Sequence, residues 1–260
     1  MHPMLNIAIK AALSAGKIIM RYYEQLPKDA VSRKADNEFV TIVDKSSEEE
    51  IIKILQKNYP SHGFIAEEGS QQDSNDFIWI IDPLDGTVNF IHGVPQFCVS
   101  IALQYKGRIT QAVIYDPLHQ ELFTASRGGG AQLNDRRIRV SQCTYIEEAL
   151  FSGTFPMINP EKAAQQLDVI NGLFHHAAGV RHIGAAALEL AYVAAGRLDG
   201  FWSNNVKMWD IAAGGLIVEE AGGLVSDWQS NPNYWNSSDV IAGNPKMFKQ
   251  LLPLIQRGYL

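Results

Sequence analysis

Four short segments of this chain end in carboxylates. Phe64-Ile65-Ala66 runs into Glu67-Glu68-Gly69. The apolar run Phe77-Ile78-Trp79-Ile80-Ile81 runs into Asp82-Pro83-Leu84-Asp85-Gly86-Thr87. Val40-Thr41-Ile42-Val43 leads to Asp44, and Met208-Trp209 leads to Asp210. Taken singly, these acids have ordinary roles. Asp-Pro and Asp-Gly are turn pairs, and Asp44 and Asp210 suit the start of a helix. Taken together they pose an electrostatic problem, because strands of one sheet can bring their ends to one edge. Two like charges about 4 Å apart cost about 4 kcal/mol at an effective dielectric of 20. Such a group persists when protons or cations neutralise it. Every candidate donor is a hard oxygen, which selects Mg²⁺, Mn²⁺ or Ca²⁺ over zinc. Two hard cations sharing a carboxylate suit in-line displacement at phosphorus. The backbone amides of Gly86 and Thr87 are placed to hold a phosphate oxygen without a lysine. No GxxxxGK[ST] loop and no GxGxxG is present, so phosphate chemistry would have to work in this way.

The elements that position these acids are legible in outline. Residues 4–24 read as an amphipathic helix, with Leu5, Ala8, Ala12, Ile19 and Tyr23 on one face. A polar loop is expected through Asn37, then a second helix over 41–58 with acidic residues early, where they suit the dipole. Strands are expected at 64–66, 77–81, 97–105, 108–115 and 121–125, with Tyr105-Lys106-Gly107-Arg108 as a hairpin turn. The strand at 77–81 ends at Asp82, where the chain is expected to turn sharply. The first half, 1–145, thus reads as two helices beside an antiparallel sheet. The second half, 146–260, alternates: strands at 150–152, 180–182, 200–202, 224–226 and 240–242, and helices at 161–174, 184–195, 210–221 and 245–256. That pattern implies α/β layering. Gly128-Gly129-Gly130 reads as a hairpin loop, and Gly222-Gly223 as a helix end where glycine accepts the left-handed conformation.

Composition narrows the class. The chain has 260 residues, is 46% hydrophobic and carries a net charge of −6. This is enough to bury a large core, and it marks no basic nucleic-acid surface. Its two cysteines, Cys98 and Cys143, form neither a disulfide framework nor a metal-type spacing, and Cys98 reads as a core residue. The opening segment has no basic n-region, and Lys10 and Lys17 interrupt its apolar stretch. A signal peptide or membrane span is therefore not expected, and the expected location is cytoplasmic. His175, His176 and His182 are not needed for the chemistry.

Asp82-Pro83-Leu84-Asp85-Gly86-Thr87-Val88-Asn89-Phe90 resembles the first signature of the inositol monophosphatase family. Trp209-Asp210-Ile211-Ala212-Ala213-Gly214, continuing to Glu220-Ala221-Gly222-Gly223, resembles the second, and Ala66-Glu67-Glu68 resembles the family's metal-binding glutamate segment. Order and spacing match over nearly the whole chain, and the layout is similar to the bacterial, extragenic-suppressor branch. The resemblance implies a layered αβαβα sandwich, α+β or α/β in class, usually dimeric and often inhibited by Li⁺. It implies hydrolysis of phosphomonoesters, inositol 1-phosphate among them, with two or three Mg²⁺ ions, Mn²⁺ being an alternative. By position, Glu67, Asp82 and the Leu84 carbonyl would hold a first metal, and Asp82, Asp85 and Asp210 a second. Glu67 would hold a weaker third. Asp44 and Thr87 would polarise the attacking water, the Gly86 and Thr87 amides would bind phosphate, and Gly184, Ala185 and Ala186 would line the substrate side.

Two departures bear on substrate. Ser203 stands seven residues before Asp210, where the family usually has a glutamate that grips inositol hydroxyls. Ala185 stands where threonine or serine is common. A related phosphatase for a sugar bisphosphate, phosphoadenosine phosphate or NADP is the alternative within this class. The bacterial branch also includes accessory factors in ribosomal RNA transcription and processing, so transcription-elongation or RNA-processing partners are a reading of another class.

Overall fold

Long alternations of branched and aromatic residues between Phe77 and Ser126 cannot bury themselves as helices, and they pair into a meander. A computed structural model describes residues 2–25, 27, 31–35, 38–73, 76–153, 167 and 169–259. Its larger sheet has eight strands in the order β10-β9-β8-β7-β6-β5-β3-β4. These are β3 (Gly63–Ala66), β4 (Gln71–Gln72), β5 (Phe77–Asp85), β6 (Cys98–Tyr105), β7 (Arg108–Asp116), β8 (Glu121–Ser126), β9 (Gly130–Leu133) and β10 (Arg136–Arg137). Ser126 pairs with Gly130, so the triple-glycine stretch is the expected hairpin loop.

A smaller sheet orders its strands β12-β11-β13-β15-β14. They are β11 (Leu150–Gly153), β12 (Gly179–Arg181), β13 (Gly200–Asn204), β14 (Leu224–Ser226) and β15 (Asp239–Gly243). Helices fill the layers. On one face of the large sheet lie α1 (Pro3–Tyr22) and α2 (Ile42–Asn58), which bury Leu5, Ala8, Ala12, Ile19, Ile51 and Leu55 against Trp79, Ile81 and Val113. Its other face meets α4 (Ala186–Ala194) and α5 (Met208–Glu220), which pack between the two sheets. The outer face of the small sheet carries α6 (Pro245–Tyr259) over Phe151, Trp202 and Ile241. This is the expected layered αβαβα sandwich. The middle layer is close: a Cβ on Gly214 of α5 would stand 2.5 Å from the Leu190 Cβ of α4. Glycine there lets the helices touch.

Three expectations need correction, and a fourth needs a remark. The segment read as a polar loop before α2 forms two paired strands, β1 (Val31–Ala35) and β2 (Glu38–Thr41). The large sheet is not wholly antiparallel, since β3 runs parallel to β5. The chain does not leave its strand at Asp82 either. It continues to Asp85, with Asp82 opposite Ser100 and Asp85 opposite Cys98. Three steps on β5 therefore face two on β6, a bulge that accommodates Pro83 without a ladder donor. Lastly, α1 is long and apolar enough, by length and composition, to cross a membrane. Here its apolar stripe is packed on the sheet, as a core helix's is. Half of the helix expected at 161–174, residues 161–166 and 168, lies outside the described residues.

Candidate active site

The parallel pairing of β3 with β5 decides the geometry. Ala66 pairs with Ile81, and the Glu67 N–H donates to the Ile81 carbonyl at 3.1 Å. Glu67, the first residue past β3, and Asp82 within β5 are thereby set side by side. The bulge then turns Asp85 along the same rim. The α5 helix crosses behind it, with the Trp209 carbonyl accepting from Ser100 Oγ at 3.1 Å, and so delivers Asp210. Four acids from three separate stretches of sequence converge.

Their electrostatics record the crowding. Asp82 is 2% exposed. Burial pushes its carboxyl well above the usual range, and the charges of Glu67, Asp85 and Asp210 push it further. The Glu67 carboxyl comes near enough to Asp82 to add a hydrogen-bonding contribution to that rise. Burial raises Asp85 to about 7, although amide N–H groups of α4 oppose that rise. Asp210 also reaches about 7, first through burial and then through Asp85, with Lys207 opposing. Among the described residues, no three such side chains close into a ready-made cation cage. The acids are close enough to raise one another and are not drawn together around a centre.

Asp44 caps a helix and also meets Thr87. At N3 of α2 its Oδ2 accepts from the Thr41 N–H at 2.8 Å and from Thr41 Oγ1 at 2.6 Å, completing a capping box. Its Oδ1 faces the site and accepts from Thr87 Oγ1 at 3.0 Å. Burial raises the Asp44 carboxyl, and the Thr41 and Thr87 hydrogen bonds hold it back. Thr87 Oγ1 also lies 3.0 Å from the Leu84 carbonyl. Asp210 repeats the pattern at N3 of α5, where its Oδ2 accepts from the Lys207 N–H at 2.7 Å.

Gly86 must be glycine. It sits at φ +89° as the N-cap of α3 (Thr87–Ile91), and a Cβ there would meet the Gln96 carbonyl at 2.7 Å. This residue turns the strand end into a helix start, with the Gly86 and Thr87 amides beside the acids. Of the residues expected on the substrate side, Gly184 and Ala186 keep some exposed surface, whereas Ala185 and Ser203 are 1% and 0% exposed. The Ser203 hydroxyl donates to the Asn204 carbonyl within β13. Neither buried residue offers surface to a dissolved ligand in this arrangement.

Two supporting residues, Glu48 and Asn89, escaped the sequence reading, and so did a second role of Asp85. Glu48 is buried one turn after Asp44, and its carboxylate accepts from the Glu68 and Ser70 amides at 2.7 and 3.3 Å. It fixes the turn that carries Glu67, and its i, i+4 spacing from Asp44 was the available signal. Asn89 donates to the Gln96 and Ile183 carbonyls, both at 2.8 Å, and so ties α3 to the 183–185 turn. Asp85 does unexpected work as a surrogate cap. The N-cap of α4 is Ala185, which has no capping side chain. Asp85 Oδ2, 102 residues away, accepts from the Ala187 N–H at 2.7 Å instead.

A profile of the inositol monophosphatase family matches residues 1–258. The chain belongs to the inositol monophosphatase family. It is 49% identical over 262 residues to the Nus factor SuhB of Pseudomonas aeruginosa, covering 98% of this chain and 97% of that one. It is 47% identical to the Nus factor SuhB of Escherichia coli, covering 97% and 95%. Among solved structures, the extragenic suppressor protein suhB of Bartonella henselae superposes with a TM-score of 0.95 at 40% identity, over 99% and 100% of the two chains. The inositol monophosphatase of Anabaena superposes with a TM-score of 0.86 at 36% identity, over 97% and 95%. Family membership carries the phosphatase fold and a general dependence on metal ions.

Proposed function

We propose that this protein is a Mg²⁺-dependent phosphomonoesterase acting on inositol 1-phosphate or a similarly small phosphomonoester. One observation carries the reading: Glu67, Asp82, Asp85 and Asp210 converge on one rim, with the three aspartate carboxyls raised by burial and by their neighbours' charge. The donor set fits hard divalent cations, since it is all oxygen and its own charge is unbalanced. Glu67, Asp82 and the Leu84 carbonyl would hold one ion, and Asp82, Asp85 and Asp210 a second, with Glu67 available to a third. When bound, such ions supply counter-charge to the phosphoryl oxygens and acidify water.

The chain's own groups complete the chemistry. Thr87 Oγ1 donates to Asp44 Oδ1, which leaves its lone pairs facing the site as acceptors for a water proton. That proton can pass through Thr87 Oγ1 to Asp44, whose buried carboxyl is made more basic by desolvation. The Gly86 and Thr87 amides orient the phosphate, and the rigid αL turn at Gly86 fixes their direction. Gly184 and Ala186 border the leaving alcohol. With Ser203 and Ala185 buried and short, few groups grip sugar hydroxyls, so selectivity among small substrates is modest. The deciding experiment screens phosphate release over a panel of small phosphomonoesters with Mg²⁺, Mn²⁺ or chelator. Metal-dependent release from at least one supports the reading, and none from any member ends it.

A second reading rests on the relatives named Nus factor. It is a cytoplasmic role with transcription-elongation partners, carried by a homodimer. Affinity capture with purified elongation factors, repeated with Asp82→Asn protein, tests whether that role needs the acid cluster.

A further inference from the structure

One buried acid has no part in the chemistry above. Glu189, on the first turns of α4, is 0% exposed. Its Oε1 accepts from the Ile183 N–H at 3.1 Å and from the Ser152 hydroxyl of β11 in a very short contact. Its Oε2 is buried with no hydrogen-bond partner. Burial without a cationic neighbour pushes this carboxyl up to about 7. A leucine would fill such a core site at lower cost, since an unsatisfied buried oxygen is unfavourable. The position of Ile183 gives the acid a purpose. That residue begins the turn whose next members, Gly184 and Ala186, border the site. Its carbonyl is already held by Asn89 of α3, the helix that starts at Gly86. The same turn leads into the α4 amides gripped by Asp85. With Ala185 unable to cap α4, the turn is moored by two remote carboxylates: Asp85 ahead of it and Glu189 folded back from behind.

We infer that Glu189 is a positioning residue: its buried carboxylate moors the 183–186 turn to β11 and so sets the substrate-side backbone against the phosphate-binding amides. This rests on the phosphatase reading for its kinetic consequence, though not for the mooring itself. Loosening the turn should harm the alcohol end of the substrate and leave the phosphate end intact, because phosphate is held by α3.

The test compares Glu189→Ala and Glu189→Gln with wild type. In Glu189→Ala, KM for inositol 1-phosphate should rise five- to twentyfold with kcat within threefold. The inhibition constant of inorganic phosphate should stay within twofold. Glu189→Gln retains an acceptor for the Ile183 N–H and should return KM to within threefold of wild type. Amide exchange followed by mass spectrometry should quicken at least tenfold over residues 183–187 in the alanine variant, with residues 87–91 unchanged. A KM within twofold of wild type, or unchanged exchange at 183–187, overturns the inference. So does a phosphate inhibition constant that rises with KM, which would place Glu189 on the acid cluster. If Glu189→Ala does not fold, Ser152→Ala removes the other anchor with little change of volume and must show the same exchange at 183–187. If wild type releases no phosphate, the phosphatase reading fails while the exchange measurement still decides the mooring.

Discussion

Replacing Asp210 by asparagine should make the metal-free protein more stable and less active at once. Asparagine keeps an oxygen for the Lys207 N–H and so preserves the start of α5. It removes a charge that burial and Asp85 both oppose. The group titrates near 3.8 when unfolded and at about 7 when folded. Between those values the native state binds more protons than the unfolded state, so stability falls as pH rises from 4 to 7. Above 7 the carboxylate is ionised in both states and the full penalty is present. Below about 4 it is neutral in both and the penalty vanishes. A gap of roughly three pH units corresponds to about 4 kcal/mol. Asp210 keeps part of its surface open to solvent, which screens the interaction, so about 2–4 kcal/mol is expected. For a chain of this size that is a rise in Tm of about 5–10 °C. Melts of wild type and Asp210→Asn in EDTA at pH 4, 5, 6, 7 and 8 measure it. The gap should be near zero at pH 4 and grow to its maximum by pH 8. Excess Mg²⁺ at pH 8 should close it by stabilising wild type selectively. A gap that is absent at pH 8, or equal at all pH values, refutes the claim that these acids repel one another in the folded state.

Other expectations follow from the same geometry. Asp44→Asn keeps an acceptor for the Thr41 N–H, so Tm should move by less than about 2 °C, within the range of a weakened cap. Its kcat should fall at least a hundredfold with KM nearly unchanged, measured by steady-state phosphate release, and a near-normal kcat would leave Asp44 a helix cap alone. Gly86→Ala forces a Cβ to 2.7 Å from the Gln96 carbonyl at positive φ. It should destabilise by about 1–3 kcal/mol in urea melts and weaken inhibition by inorganic phosphate. Preference for inositol 1-phosphate over glycerol 2-phosphate should not exceed about 10–100-fold in kcat/KM, and a larger ratio would show that other residues grip the sugar.

The fold was legible where one physical signal dominated. The apolar alternation of residues 98–126, the glycine-rich hairpin at 128–130 and the helix end at Gly222 are all local effects, and all stand where the sequence places them. The acid cluster was legible as a condition: its members had to share an edge to matter. The parallel register of β3 on β5 meets that condition, and register is set by the whole sheet rather than by either strand. The bulge at Asp82–Asp85 reads as a turn locally, because proline and glycine normally end strands, and pairing with β6 overrides that preference. The β1–β2 pair was missed because residues 31–41 show no apolar alternation. Asp85 capping α4 and Glu189 holding Ile183 join distant or oppositely directed parts of the chain, which no local pattern encodes.

The most direct test of the central claim follows phosphate release from inositol 1-phosphate by wild type and Asp82→Asn, each in excess EDTA and then in excess Mg²⁺. Asp82 is the acid raised by all three of its neighbours and the proposed shared ligand. Wild type should be inactive in chelator and recover fully with Mg²⁺. Asp82→Asn should stay folded and, even with Mg²⁺, remain several orders of magnitude below the wild-type kcat. Full wild-type activity in chelator, or an Asp82→Asn variant retaining more than about a tenth of wild-type kcat, a loss below about 1.4 kcal/mol, would contradict a metal-dependent phosphatase built on this rim.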